Sequence, residues 1–147
     1  MDQHGNPLLP PLTDDTSAPF WQGCRDGVLR MQRCPDTHRL IFPPRPMSPW
    51  GERRPPEWVD VSGRGTIWSF VVPHPPLLPQ FAAVSPFNVV VVALDEDPTI
   101  RMIGNLVAGP GGRIDEIDPA TIRIGEPVQV VFDTVTDDVV LPRWVRA

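Results

Sequence analysis

Twenty-one of the 147 residues are proline, and no other feature limits the fold of this chain so tightly. The proline ring fixes φ and removes a backbone donor, so these residues are barred from helix interiors and central strands. The chain therefore needs long ordered loops, and an all-helical protein is excluded. Hydrophobic residues make up 41% and charged residues 21%, ordinary globular usage that argues against wholesale disorder. The length fits one domain, or one small domain with an appended minidomain.

The strongest β signal lies at residues 61–72, V-S-G-R-G-T-I-W-S-F-V-V. Gly63 and Gly65 permit a sharp turn or bulge just before Thr66. From there the run favours strand, with Thr66, Trp68 and Phe70 on one face and Ile67, Ser69 and Val71 on the other. A strand with two usable faces suits a small barrel. Further strands are expected at 88–94, 100–107, 128–132 and 139–145. The turns between them are 95–98 and 136–138, with one helical turn at 118–121 and a possible bulge at Gly104. Five to six strands without a βαβ rhythm indicate a closed or nearly closed β-barrel.

Upstream, residues 1–16 read as a flexible arm. Thr16 or Ser17 then caps a short helix with Pro19 in its first turn and Gly27 at its end, and Phe20, Trp21 and Cys24 fall along one side. Residues 28–33 alternate as a strand, and 34–51 follow the layout of a zinc ribbon. A working ribbon needs two C-x-x-C pairs. Here the four positions are Cys34, Thr37, Ser48 and Gly51, so three of four thiolates are missing and no zinc is expected. Asp36 and His38 beside Cys34 are read as coincidence, with the prolines and the aromatics Phe42 and Trp50 stiffening the loop instead. Residues 52–56 form a charged linker. The domain reading is thus 1–16 arm, 17–56 helix plus degenerate ribbon, and 57–147 barrel.

All 13 cations are arginine and the formal charge is −5. An acidic chain is poorly suited to non-specific nucleic-acid binding, which relies on releasing phosphate counterions. The absence of lysine is what a GC-rich genome writes. With no secretory pattern in residues 1–12 and no apolar run near the roughly 20 residues of a membrane span, the expected place is the cytoplasm, with Cys24 and Cys34 reduced.

No catalytic constellation emerges. The histidines are His4, His38 and His74, no Gly-x-Ser-x-Gly elbow occurs, and Asp95, Glu96 and Asp97 read as a solvated hairpin tip. The loop at 73–86 carries five prolines with Leu77, Leu78 and Phe81, a length that points to function. A docking surface for a partner or an acyl group is expected there. His74, where the central strand meets this loop, is the side chain to test for substrate contact, with Arg64 and Trp68 of the central stretch.

Several blocks carry a family resemblance: F-W-Q-G at 20–23, G-V-L-R-M-Q-R-C at 27–34, F-P-P-R-P at 42–46, E-W-V-D-V-S-G-R-G-T-I-W-S-F-V-V-P-H-P-P at 57–76, I-R-I-G-E-P-V-Q-V-V-F at 122–132 and L-P-R-W at 141–144. On these the chain resembles the DUF35 proteins, which pair a rubredoxin-like zinc ribbon with an OB-fold and are associated with acyl-CoA metabolism. The resemblance implies a non-catalytic subunit that docks on a thiolase-fold aldolase or acyltransferase and helps form its acyl-CoA channel. It further implies a heterotetramer with an enzyme of the lipid-transfer-protein type, and steroid side-chain degradation as the pathway. The chain departs from the family at the ribbon, where only Cys34 remains. The alternatives are an OB-type single-strand nucleic-acid binder and a free-standing acyl-CoA-binding protein or thioesterase.

Overall fold

The computed structural model describes residues 14–147, so most of the expected arm lies outside the described residues. The first element is α1 (Ala18–Asp26), closed by Gly27 in the left-handed region at φ 79°. Ser17 does not cap it with its side chain. Asp14 holds Ser17 instead: its Oδ1 accepts the Ser17 N–H at 2.7 Å and the Ser17 hydroxyl at 2.8 Å. The aspartate closes the turn that leads into the helix, and the expected serine or threonine side-chain cap on the first helical turn is not formed.

Next come β1 (Leu29–Arg33), β2 (Leu40–Ile41) and β3 (Glu57–Val61), which form an antiparallel sheet in the order β2-β1-β3. The strand expected to lead into the barrel thus also completes the ribbon sheet, pairing Leu29 with Val61 and Arg33 with Glu57. The second sheet contains β4 (Arg64–Val71), β5 (Val89–Leu94), β6 (Arg101–Gly104), β7 (Pro127–Thr134) and β8 (Val140–Arg146), in the order β6-β5-β4-β7-β8. A 3₁₀ turn at Pro119–Thr121 precedes β7, and Asp118 caps it by accepting the Ala120 N–H. The mainly β reading holds.

The five-stranded sheet curls until its edges meet. The expected strand at 100–107 stops at Gly104; Leu106 crosses to bridge Trp144 of β8 in parallel. Val107 N–H donates to Trp144 O at 2.8 Å, and Trp144 N–H donates to Asn105 O at 3.0 Å. Asn88, with 0% exposure, pins this seam from within. Its amide donates to Leu106 O and accepts from Leu106 N–H, while Asn105 donates to Asn88 O. Asn88→Ala strands both Leu106 groups in a dry site, and unfolding in urea is expected to show a loss of about 2–3 kcal/mol.

Gly104 is not a bulge. A Cβ there would stand 3.0 Å from Trp144 Nε1, so the position is glycine because the indole lies against its backbone. The bulge falls in β4 instead, where the register with β5 shifts between Ile67 and Ser69. That extra residue inverts the face. Ile67 is buried and Phe70 packs on the core, while Trp68 is 50% exposed. The expected alternation therefore fails at Trp68. Gly63 does turn the chain, at φ 75°, whereas Gly65 admits the Ala93 carbonyl, which a Cβ would meet at 2.6 Å.

One core joins ribbon and barrel: Phe20, Leu29, Met31 and Leu40 pack in the same cluster as Ile67, Val90 and Trp144. Burying this shared apolar area at roughly 25 cal/mol per Å² fastens the two sheets together.

Candidate docking face and ribbon

Strand register sets the outer face of the barrel. Thr66 lies opposite Ala93 and Ala93 opposite Arg101; Ser69 lies opposite Val91 and Val91 opposite Ile103; Val71 faces Val89. Partners across a ladder share a face, so these side chains point away from the main core, with Val89 covered by the smaller core around Phe87 and Ile114. Trp68, bulged from the same strand, stands with them under the Arg101 guanidinium, whose carbon is 3.7 Å from the ring centroid. Exposure reaches 50% at Trp68, 59% at Val71 and 75% at Ile103. Three large apolar side chains exposed on one face, among Thr66, Ser69 and Arg101, make it a candidate interaction surface. Around the edge of β6 it continues into a groove of about 260 Å³ between α1 and the barrel seam, walled by Trp21, Phe42, Ile103 and Leu141. Arg143 lies at its polar end, 7% exposed, donating to Asp133 and Asn105.

The residues singled out from the sequence are spread around this region. His74 is exposed in the loop after β4. Leu77 and Phe81 turn inward to a second core with Phe87 and Ile114, and Phe81 lies on the four-residue helix α2 (Pro79–Ala82), 5.6 Å from the Phe87 ring. Leu78 points out, 62% exposed. Arg64 is exposed and 3.9 Å from Asp95. Ile103 and Val71 were missed. The period-two pattern around Met102 would have found Ile103, but Val71 needed the bulge.

Neither His38 nor His74 donates or accepts a side-chain hydrogen bond with another described residue. Among the described residues, no cluster of three His, Cys, Asp or Glu could hold a metal. Burial pushes the Cys24 thiol up to about 12, far from a nucleophile's range. The acidic hairpin tip is occupied structurally: Glu96 accepts the Ser62 N–H at 2.9 Å and Asp97 accepts from Thr99.

A curled OB-type barrel with a ribbon sheet on its flank defines the class by fold: a two-part, mainly β module. Residues 58–133 match the family described as ChsH2, C-terminal OB-fold domain, and residues 21–47 match ChsH2, rubredoxin-like zinc ribbon domain. The chain belongs to the ChsH2 family of DUF35 proteins. It is 36% identical over 126 residues to the 3-oxo-4,17-pregnadiene-20-carboxyl-CoA hydratase alpha subunit of Mycobacterium tuberculosis, covering 85% of this chain and 36% of that protein. To the probable enoyl-CoA hydratase alpha subunit of Thermomonospora curvata it is 31% identical over 124 residues, covering 84% and 35%. The chain thus spans about a third of the length of the curated relatives it matches. Among solved structures it is similar to a chain of an Ltp2-ChsH2(DUF35) aldolase. The TM-score is 0.77 at 28% identity, over 93% of this chain and 98% of that one.

The family fold implies zinc in the ribbon, so the donor set there matters. A structural zinc takes four nitrogen, sulfur or carboxylate ligands in a tetrahedron. The four positions here offer one thiol, two hydroxyls and a glycine. Cys34 is sealed from solvent and accepts the Thr37 N–H at 3.4 Å. Burial pushes its thiol up, but hydrogen bonds from the Ser48 and Thr37 side chains and from the Thr37 and Asp36 backbones outweigh that and bring it down to about 7. Gly51 sits at φ 63° with Asp36 filling the space where its side chain would go. The residues present do not fit zinc.

Proposed function

We propose that the chain is a cytoplasmic, non-catalytic subunit that docks on a thiolase-fold aldolase or acyltransferase and helps wall its acyl-CoA channel. The observation that carries this reading is the likeness to the ChsH2 chain of an aldolase complex over nearly the whole of both chains. The outer face of β4, β5 and β6 supports it, because Trp68, Val71 and Ile103 present an apolar surface of the kind a protein partner covers. Leu78 extends that surface from the loop, and His74, Arg64 and the groove beside α1 supply contacts for the CoA thioester. A steroid acyl group is the favoured substrate, since the Mycobacterium tuberculosis relative is named for a pregnadiene carboxyl-CoA. Both parts bind without zinc, and the assembly is a heterotetramer.

Co-expression with the thiolase-fold protein encoded nearest to it, followed by size-exclusion chromatography with light scattering, tests the reading. The expected result is one peak with the mass of two copies of each chain. Separate elution would overturn it. A second reading has its own support, because both curated relatives are named hydratase alpha subunits. On that reading the chain joins a hydratase, and the co-purified enzyme would add water to an enoyl-CoA instead of cleaving a carbon–carbon bond.

A further inference from the structure

We propose that the two knuckles of the ribbon are fastened by an Asp36–Arg54 latch whose carboxylate stands where the side chain of the fourth ligand would be. Asp36 lies within the first knuckle, between the positions of Cys34 and Thr37. One of its oxygens, Oδ1, pairs with the Arg54 guanidinium, and the other, Oδ2, accepts the Glu52 N–H at 2.9 Å. Arg54 and Glu52 both follow the second knuckle at 48–51. A single carboxylate thereby joins two loops that are distant in sequence, which is the task zinc performs in a four-cysteine ribbon.

The carboxylate also excludes the ligand it replaces. A Cβ on Gly51 would come within 2.6 Å of the Asp36 Cβ. A cysteine at 51 and an aspartate held at 36 therefore compete for one volume.

Two further ties support the latch. The Arg39 guanidinium carbon stands 3.9 Å from the centroid of the Trp50 ring, and the Cys34 thiol lies 3.9 Å from the Trp50 carbonyl. The second knuckle keeps its turn without metal, as Ser48 N–H donates to Arg54 O at 2.9 Å and Trp50 N–H donates to the Ser48 hydroxyl at 3.2 Å. An isolated surface ion pair contributes little. This one is backed by a backbone donor, with the Asp36 side chain only 20% exposed, so several groups act together. The inference stands on the ribbon alone and is independent of the proposed partner.

The test uses the full chain, produced in zinc-supplemented medium, with metal content measured by mass spectrometry and thermal unfolding followed with and without a strong chelator. The expected zinc content is below about 0.1 per chain, with Tm unchanged by chelator to within about 1 °C. Asp36→Ala is expected to lower Tm by roughly 3 °C or more, and adding Arg54→Met to it should change Tm little further, as coupled groups do. Near-stoichiometric zinc, a chelator-induced fall in Tm, or a further fall of roughly 3 °C or more when Arg54→Met is added to Asp36→Ala would overturn the latch. Should Asp36→Ala not fold, Arg54→Met alone is measured: a Tm lowered by roughly 3 °C supports the latch, and an unchanged Tm overturns it.

Discussion

Trp144→Ala is expected to lower the unfolding free energy by about 3–5 kcal/mol, the range for emptying a large buried aromatic site. Trp144 is 1% exposed and belongs to the cluster that joins α1, the ribbon sheet and the barrel. Its backbone carries both hydrogen bonds of the parallel seam that closes the barrel, and its ring lies against Gly104. Removing the ring opens a cavity where β6 and β8 meet, and the backbone bonds alone must then hold the edges. Domains of this size have only about 5–15 kcal/mol to lose. Urea unfolding followed by far-ultraviolet circular dichroism measures the change, with the m-value expected to stay constant. A loss below about 1 kcal/mol would mean that the seam does not close the barrel.

Trp68→Glu combined with Ile103→Glu should abolish assembly with the partner while leaving the isolated chain folded. Both side chains point outward, 50% and 75% exposed, and exposed substitutions usually change stability by no more than about 0.5 kcal/mol. In a docked complex the same positions would be covered; Ile103→Glu would then bury an unpaired charge, and Trp68→Glu would remove the large apolar ring that Arg101 stacks on. A penalty of about 3 kcal/mol or more weakens Kd by roughly 100-fold or more. Calorimetric titration against the partner reads that change, and circular dichroism confirms the fold. Binding within about threefold of the unaltered chain would place the interface elsewhere.

Much of the fold is legible in local sequence. Gly27 ends α1, Asp118 starts its turn, and the valine run of β5 is the strand its composition indicates. Failures occur where a residue's role depends on something distant in the chain. The bulge at Trp68 is a property of the pairing between β4 and β5, so no pattern within residues 61–72 reveals that Phe70 turns inward. Asn88 looks like a strand flank, yet it anchors Leu106 across the barrel. Gly104 resembles a strand irregularity because Trp144, its reason for being glycine, comes 40 positions later in the chain. Leu77 and Phe81 show the same limit in the candidate site. An apolar loop residue bound for docking and one bound for a satellite core have the same composition, and only packing separates them from Leu78. In the ribbon, the loss of ligands is plain in the sequence, but the Asp36–Arg54 contact joins positions whose pairing no spacing rule anticipates.

The most direct test of the account is a cleavage assay on a β-hydroxyacyl-CoA steroid thioester with three samples: the thiolase-fold partner alone, this chain alone, and the purified complex. The account predicts no turnover by this chain and at least about 100-fold faster carbon–carbon cleavage by the complex than by the partner alone, because a channel completed in trans holds the thioester in reacting geometry. Full activity of the partner without this chain would contradict it, as would turnover by this chain alone.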